Sequence, residues 1–220
     1  MTLHRRHFCV ALGAAAVSVA CGKNLSVKTM EVALENFSGR DAFDADYPDR
    51  LPYASMAVLL PNLKRGLVIL GKVEGDELHW ITADRGVLVT RFGRLVRSAG
   101  FPENVARTEF IDPDFLDPAV PLRDGMTFRR QVDFVPGNYY GATVNSTLGV
   151  AGDHRLVVGK RQMSLRLLEE RALVDGLGWG YTNRFWVDDK RVVWRSEQFL
   201  TPGRPAMMID VMKPYAGVQG

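Results

Sequence analysis

Short stretches of alternating apolar and polar residues fill most of the chain after residue 53, and turn signals interrupt them at regular intervals. Ala54 to Leu60, Gly66 to Val73, Leu78 to Thr82, Gly86 to Arg91 and Arg94 to Ser98 read as successive strands. Pro61-Asn62, Glu74-Gly75-Asp76, Asp84-Arg85 and Phe92-Gly93 separate them, the pattern of an antiparallel meander. Strands resume at Met126 to Phe134, Tyr139 to Leu148, Arg155 to Lys160 and Met163 to Val174. Tyr181 to Val187 and Arg191 to Phe199 then form a hairpin about Asp188-Asp189-Lys190, and Met207 to Met212 reads as a last edge strand. Leu165 to Leu173 has the composition of a helix. The surrounding meander favours a strand, because propensity in so short a stretch is a weak guide.

Residues 99 to 125 break the pattern. Pro102, Pro113, Pro118 and Pro121 exclude a central strand, so this reads as a connector with one helical turn around Asp114 to Leu116. The stretch from Trp80 to Ser98 has an echo beyond the connector: Trp179, Asn183-Arg184 and Arg195-Ser196 follow the order of Trp80, Asp84-Arg85 and Arg97-Ser98. The expected fold is mainly β, with antiparallel meander sheets forming a sandwich or open barrel. The echo predicts duplicated halves, 50–100 and 126–213. A short amphipathic helix is expected over Leu25 to Phe37, where Val27, Met30, Val32-Ala33 and Phe37 recur at helical spacing before Asn36-Phe-Ser-Gly39.

The N-terminus has a different character. His4-Arg5-Arg6-His7-Phe8 precedes an apolar run from Cys9 to Ala20, too short to span a bilayer and shaped like a signal peptide. Ser18-Val19-Ala20-Cys21 resembles a lipobox. Residues 1–20 are then a lipoprotein signal, and 21–220 form one mostly-β domain with a diacylglycerol on Cys21. Stable anchoring needs at least two acyl chains, and a lipoprotein terminus carries three. Arg5-Arg6-His7-Phe8 also resembles a twin-arginine signal, while an ordinary Sec signal carries basic residues too, so both export routes stay open. By the same likeness to lipoproteins, Gly22 after the Cys favours sorting to the outer membrane.

Composition sharpens this picture. The two cysteines are Cys9 and Cys21; one leaves with the signal and the other is lipidated, so no thiol remains for a disulfide, a Cys-ligated metal or a nucleophile. The formal charge of +3 falls to about +1 without Arg5 and Arg6, and no basic arm suits nucleic acid.

Tyr53-Ala-Ser-Met56, Trp80 with Ala83-Asp84, Gly93-Arg94-Leu95-Val96, Asn183-Arg-Phe-Trp186-Val187-Asp188, Trp194-Arg-Ser196-Glu-Gln198 and Ile209-Asp210 before Lys213-Pro214 together resemble the YjbF/GfcB family of bacterial lipoproteins. The resemblance covers nearly the whole mature chain. It implies an outer-membrane lipoprotein that serves exopolysaccharide or group 4 capsule production or export beside other envelope proteins of that machinery. It supplies no catalytic residues and no cofactor.

Candidate sites follow from residue chemistry. Trp80, Trp179, Trp186 and Trp194 lie in or beside the two hairpins. Each can stack on a sugar face or serve as core. Arg85, Arg91, Arg94 and Arg97 can face an acidic polymer or guard strand edges. Gly66 to Lys72 has phosphate-loop spacing, but Val73 replaces the hydroxyl residue and the interior reads as a strand. Asp44, Asp46 and Asp49, and likewise Asp112, Asp114 and Asp117, share a spacing open to Ca²⁺ or to solvated turns. His79 and His154 lack partners at ligand spacing, and no metal is expected. Glu169-Glu170 with Asp188 is the carboxylate set that a glycosidase would use, although neighbours on a strand point to opposite faces. Three functions result: a periplasm-facing lipoprotein that binds polymer or export partners without catalysis, a polysaccharide-modifying enzyme, and a structural partner of an outer-membrane barrel without sugar contact.

Overall fold

The computed structural model describes residues 43, 46–60, 65–135, 137 and 139–218. Cys21 and the helix expected over Leu25 to Phe37 lie outside them.

Helix α1 (Tyr47–Arg50) leads into twelve strands: β1 (Ser55–Leu59), β2 (Gly66–Glu74), β3 (Glu77–Ile81), β4 (Val87–Arg91), β5 (Arg94–Ala99), β6 (Asn104–Phe110), β7 (Thr127–Val135), β8 (Tyr139–Val158), β9 (Arg161–Val174), β10 (Trp179–Val187), β11 (Val193–Gln198) and β12 (Met207–Lys213). They form one antiparallel sheet in the order β5-β4-β3-β2-β1-β12-β11-β10-β9-β8-β7-β6. Every strand pairs with the next one in the chain except β5 with β6, and β1 also pairs with β12 (Val58 opposite Ile209). The remaining gap lies between β5 and β6, where the Val105 N–H donates to Ser98 Oγ at 3.0 Å. The result is a nearly closed barrel, which leaves little exposed edge.

Period-2 alternation builds the interior. On β7, Phe128, Arg130, Val132 and Phe134 are buried, and the residues between them are more exposed. Met56, Val68, Trp80, Leu88, Val132, Val144 and Ile209 fill one part of the core. Phe115 and Leu116, from the connector, plug one end against Phe128, Leu148, Leu168 and Phe185. The apolar run of β2 is buried on both faces: Val68 joins the interior, while Leu67 and Ile69 pack outside against Leu51, Met212, Tyr47 and Tyr53.

Four expectations change. A strand, β6, occupies part of the connector; it fits because Pro102 and Pro113 flank it and because it borders the gap. Around Asp114 to Leu116 the chain makes turns rather than a helical turn. Strand β12 is central, held between β1 and β11. The two strands expected at Tyr139 to Leu148 and Arg155 to Lys160 are one, β8, with an irregularity between Val150 and Asp153 that bends the ladder. Leu165 to Leu173 is strand, as read. The far part of the β8–β9 hairpin folds onto the barrel's outer face, where Val158, Leu165 and Leu167 cover Trp186.

Candidate functional site

The β2–β3, β4–β5 and β10–β11 turns share one end of the barrel with the end of β12. A cleft of about 610 Å³ opens there. Its walls are Met56, Leu78, Trp80, Phe92, Val193 and Val211, with Leu116 and Pro118 from the connector, Tyr215 after β12, and Asp76, Asp188, Lys190 and Arg191 around the mouth.

Local hydrogen bonds fix this mouth. Asp188 Oδ1 accepts the N–H groups of Lys190 (3.0 Å) and Val192 (2.9 Å), and Oδ2 accepts Trp194 Nε1–H at 2.9 Å. One carboxylate thus shapes the turn and orients the indole. Arg191 adopts a φ of 64°, in the left-handed region, which a non-glycine residue occupies only when its surroundings hold it there.

 Its guanidinium Nη1 donates to the carbonyls of Phe115 (3.1 Å), Asp117 (2.9 Å) and Val120 (2.5 Å), tying the connector across the barrel end. Burial pushes the Arg191 guanidinium down from its ordinary value, with Asp117 opposing. Inside the cleft, Trp80 is 3 % exposed and its Nε1–H donates to Thr90 Oγ1 at 2.8 Å.

The barrel interior also holds a cluster of buried charges. Arg94 Nε and Nη2 donate to Asp114 at 2.7 and 3.0 Å, and Nη1 donates to Glu170 Oε2 at 2.5 Å. Glu170 also accepts from Arg130, Ser146 Oγ (2.8 Å) and Asn183 Nδ2 (2.9 Å). Arg130 reaches Tyr181 Oη at 2.9 Å. The rings of Phe115, Phe128 and Phe185 surround the Arg94 guanidinium at 5.1, 5.8 and 5.2 Å, a cation–π arrangement. Burial alone would raise the Glu170 carboxyl, but Arg130 and Arg94 overcome it and hold the group far below the usual range. Burial would likewise weaken the charged form of Arg94, and Asp114 and Glu170 reverse this and raise it. For Tyr181, burial dominates and pushes the phenol up.

The residues singled out from sequence therefore separate. Trp80 and Trp194 line the cleft, and Arg91 stands beside it with its guanidinium over Phe92 and Phe110. Arg94 is 2 % exposed and points into the charge cluster rather than toward an external polymer. Arg97 pairs with Glu77. Arg85 is exposed in the β3–β4 turn at the opposite end. Trp179 is at that end too, stacked on Tyr181 with a centroid distance of 4.3 Å. Trp186 lies on the outer face beneath the β8–β9 hairpin. Glu169, Glu170 and Asp188 do not converge: Glu169 bonds Arg184 on the outside, Glu170 lies in the interior, and Asp188 shapes the turn. Asp112 pairs with Arg129, Asp114 with Arg94, and Asp117 accepts the Ala119 N–H, so that triad is dispersed. His79 stands 3.5 Å from Glu74, and His154 is exposed.

The two tryptophan stretches are not equivalent in the sheet. Trp80 to Ser98 crosses β3, β4 and β5, whereas Trp179 to Ser196 crosses only β10 and β11. The end of β11 does touch the first stretch: Gln198 Oε1 accepts the Leu95 N–H and Nε2 donates to the Gly93 carbonyl, both at 2.9 Å. Sequence reading missed Arg191, Val193, Val211 and Tyr215 as cleft residues. Only the turn signal at Asp188-Asp189-Lys190 pointed near them.

Residues 37–212 match the family model described as "Group 4 capsule polysaccharide lipoprotein gfcB, YjbF". Two relatives come from Escherichia coli (strain K12). The uncharacterized lipoprotein GfcB is 28% identical over 181 residues, covering 81% of this chain and 85% of the relative. The uncharacterized lipoprotein YjbF is 28% identical over 151 residues, covering 68% and 70%. The crystal structure of the hypothetical lipoprotein YmcC from Escherichia coli (K12) matches with a TM-score of 0.77 at 25% identity, over 88% of this chain and 97% of that one. The chain therefore belongs to the YjbF/GfcB family of group 4 capsule polysaccharide lipoproteins.

Proposed function

We propose that the protein is an accessory of capsule or exopolysaccharide production or export, anchored to the outer membrane through Cys21, facing the periplasm and acting by binding. The observation that carries this reading is the cleft at the barrel mouth. Two tryptophans and a ring of apolar side chains form a concave surface, the usual form of a small-molecule or side-chain receptor. The carboxylates a glycosidase would need are held apart in separate ion pairs and turns, which favours binding over polymer cleavage. Family membership supports the process served.

The test is complementation of a gene deletion with wild type, Cys21→Ala and Leu78→Trp, which fills the cleft. Surface polysaccharide, its chain length and membrane fractionation are read together. The expected result is reduced polysaccharide output for both variants, unchanged chain length, and loss of outer-membrane fractionation for Cys21→Ala. Unchanged output on deletion, or a shift in chain length abolished by replacing one carboxylate, would overturn the reading.

A further inference from the structure

Most of the polar groups that line the cleft are already engaged with one another. Trp80 Nε1–H bonds Thr90, Trp194 Nε1–H bonds Asp188, the Asp188 carboxylate also holds two backbone N–H groups, and Arg191 Nη1 bonds three carbonyls. A sugar ring enclosed here would bring hydroxyls with few partners, and a buried hydroxyl left unpaired is unfavourable. What the walls offer instead is apolar contact from Met56, Leu78, Phe92, Leu116, Val193 and Val211. The apolar surface continues outward through Val73, which is 40% exposed at the mouth.

The mouth also has a sign. Asp188 and Arg191 are engaged as described, and Asp76 lies 3.8 Å from Arg91. Lys190 is exposed and its ammonium has no partner among the described residues. Asp189, beside it in the turn, is exposed as well but is not among the walls of the cleft, so the charge left on the cleft's own rim is positive.

From this we infer that the cleft takes the acyl chain of an anionic amphiphile, with the chain among the apolar walls and a phosphate or carboxylate head at Lys190. The inference rests on the cleft being the working site proposed above and names its ligand class. A membrane lipid supplies this chemistry; the protein's own anchor does not, because a diacylglycerol thioether with an amide-linked chain has no anionic head.

The experiment uses the full chain in cells fed a fatty acid that carries a diazirine and an alkyne. After irradiation, cross-linked peptides are mapped. Cross-links on peptides containing Leu78 to Phe92 or Arg191 to Trp194 are expected, distinct from the acyl label on Cys21. Leu78→Trp and Val73→Trp should abolish them. Lys190→Glu should lower them about threefold, the scale of one exposed ion pair. The mass of the cross-linked adduct names the source: an anionic membrane lipid supports the inference, and an adduct joined to the Cys21 peptide overturns it. Because Val73 is exposed, its variant remains informative if Leu78→Trp fails to fold. Absence of cleft cross-links, or cross-links indifferent to both tryptophan variants, overturns the inference. If Leu78→Trp lowers polysaccharide output without any acyl cross-link, only the ligand class fails. If cross-links map to the cleft and output is unaffected, the acyl assignment stands and the proposed role of the cleft fails.

Discussion

Arg94 and Glu170, 76 positions apart in the chain, form an ion pair of 2.5 Å inside the barrel. With Asp114 and Arg130 they make a cluster of two positive and two negative groups, each buried. The cluster joins β5, the connector, β7 and β9, so it links β5, one border of the gap, to strands on the other side of that gap. Burial of a pair brings little net stability by itself, but removal of one partner strands the others.

Replacing Arg94 with Met should therefore cost about 3–5 kcal/mol, the usual scale for breaking a buried pair. Urea unfolding followed by tryptophan fluorescence measures this. A loss below about 1 kcal/mol, the range of an exposed pair, would refute the buried cluster.

The same pair sets an acid limit. Glu170 is held far below its ordinary value, so its contribution is fully present at neutral pH. As pH falls below about 4.5, the ordinary glutamate value, the unfolded chain takes up a proton that the folded chain does not, and stability declines toward the much lower folded value. Thermal melts between neutral pH and the acid range should show this decline, and Glu170→Gln should flatten it while lowering stability at neutral pH.

Arg191 combines a left-handed backbone with a guanidinium that holds three carbonyls. Arg191→Ala should cost about 1–3 kcal/mol through those unmet acceptors and speed amide exchange in the connector around Leu116 to Val120. Arg191→Gly should be less destabilising than the alanine variant, because glycine relieves a left-handed strain of about 1–2 kcal/mol, more than the added freedom of the unfolded chain takes back. Hydrogen exchange and thermal melts of both variants provide the comparison.

Gly93 marks the contact between the β4–β5 corner and β11. Its φ is 86°, and an added Cβ would lie 2.5 Å from Val193 Cβ. Gly93→Ala should destabilise by about 1–3 kcal/mol through overpacking. Val193→Gly in the same chain removes the clashing Cβ, so the two changes together should cost less than the sum of each alone, which a double-mutant cycle reads directly.

Much of the strand pattern was legible because alternation survives wherever one face of a strand is buried. Leu165 to Leu173 shows the limit of propensity: helix-forming residues become strand because β8 and β10 pair with them on both sides. β6 was hidden because its flanking prolines dominate a local reading, and β12 read as an edge because nothing local announces that β1 closes onto it. The candidate site was less legible. Trp80 and Trp194 were singled out, but Trp179 and Trp186 carry the same residue type to the far end and the outer face. Arg94 is indistinguishable in sequence from an exposed strand arginine, since its partners Asp114 and Glu170 lie in distant segments.

Local period, turn chemistry and motif order carry the antiparallel β class, most strand positions and the family resemblance, so all three are readable along the chain. Tertiary structure alone decided that β1 meets β12, that Arg94 is buried among Asp114 and Glu170, and that Trp80, Val193, Val211 and Lys190 share one mouth. Those arrangements depend on register and closure between segments far apart in the chain, where burial and pairing outweigh local preference.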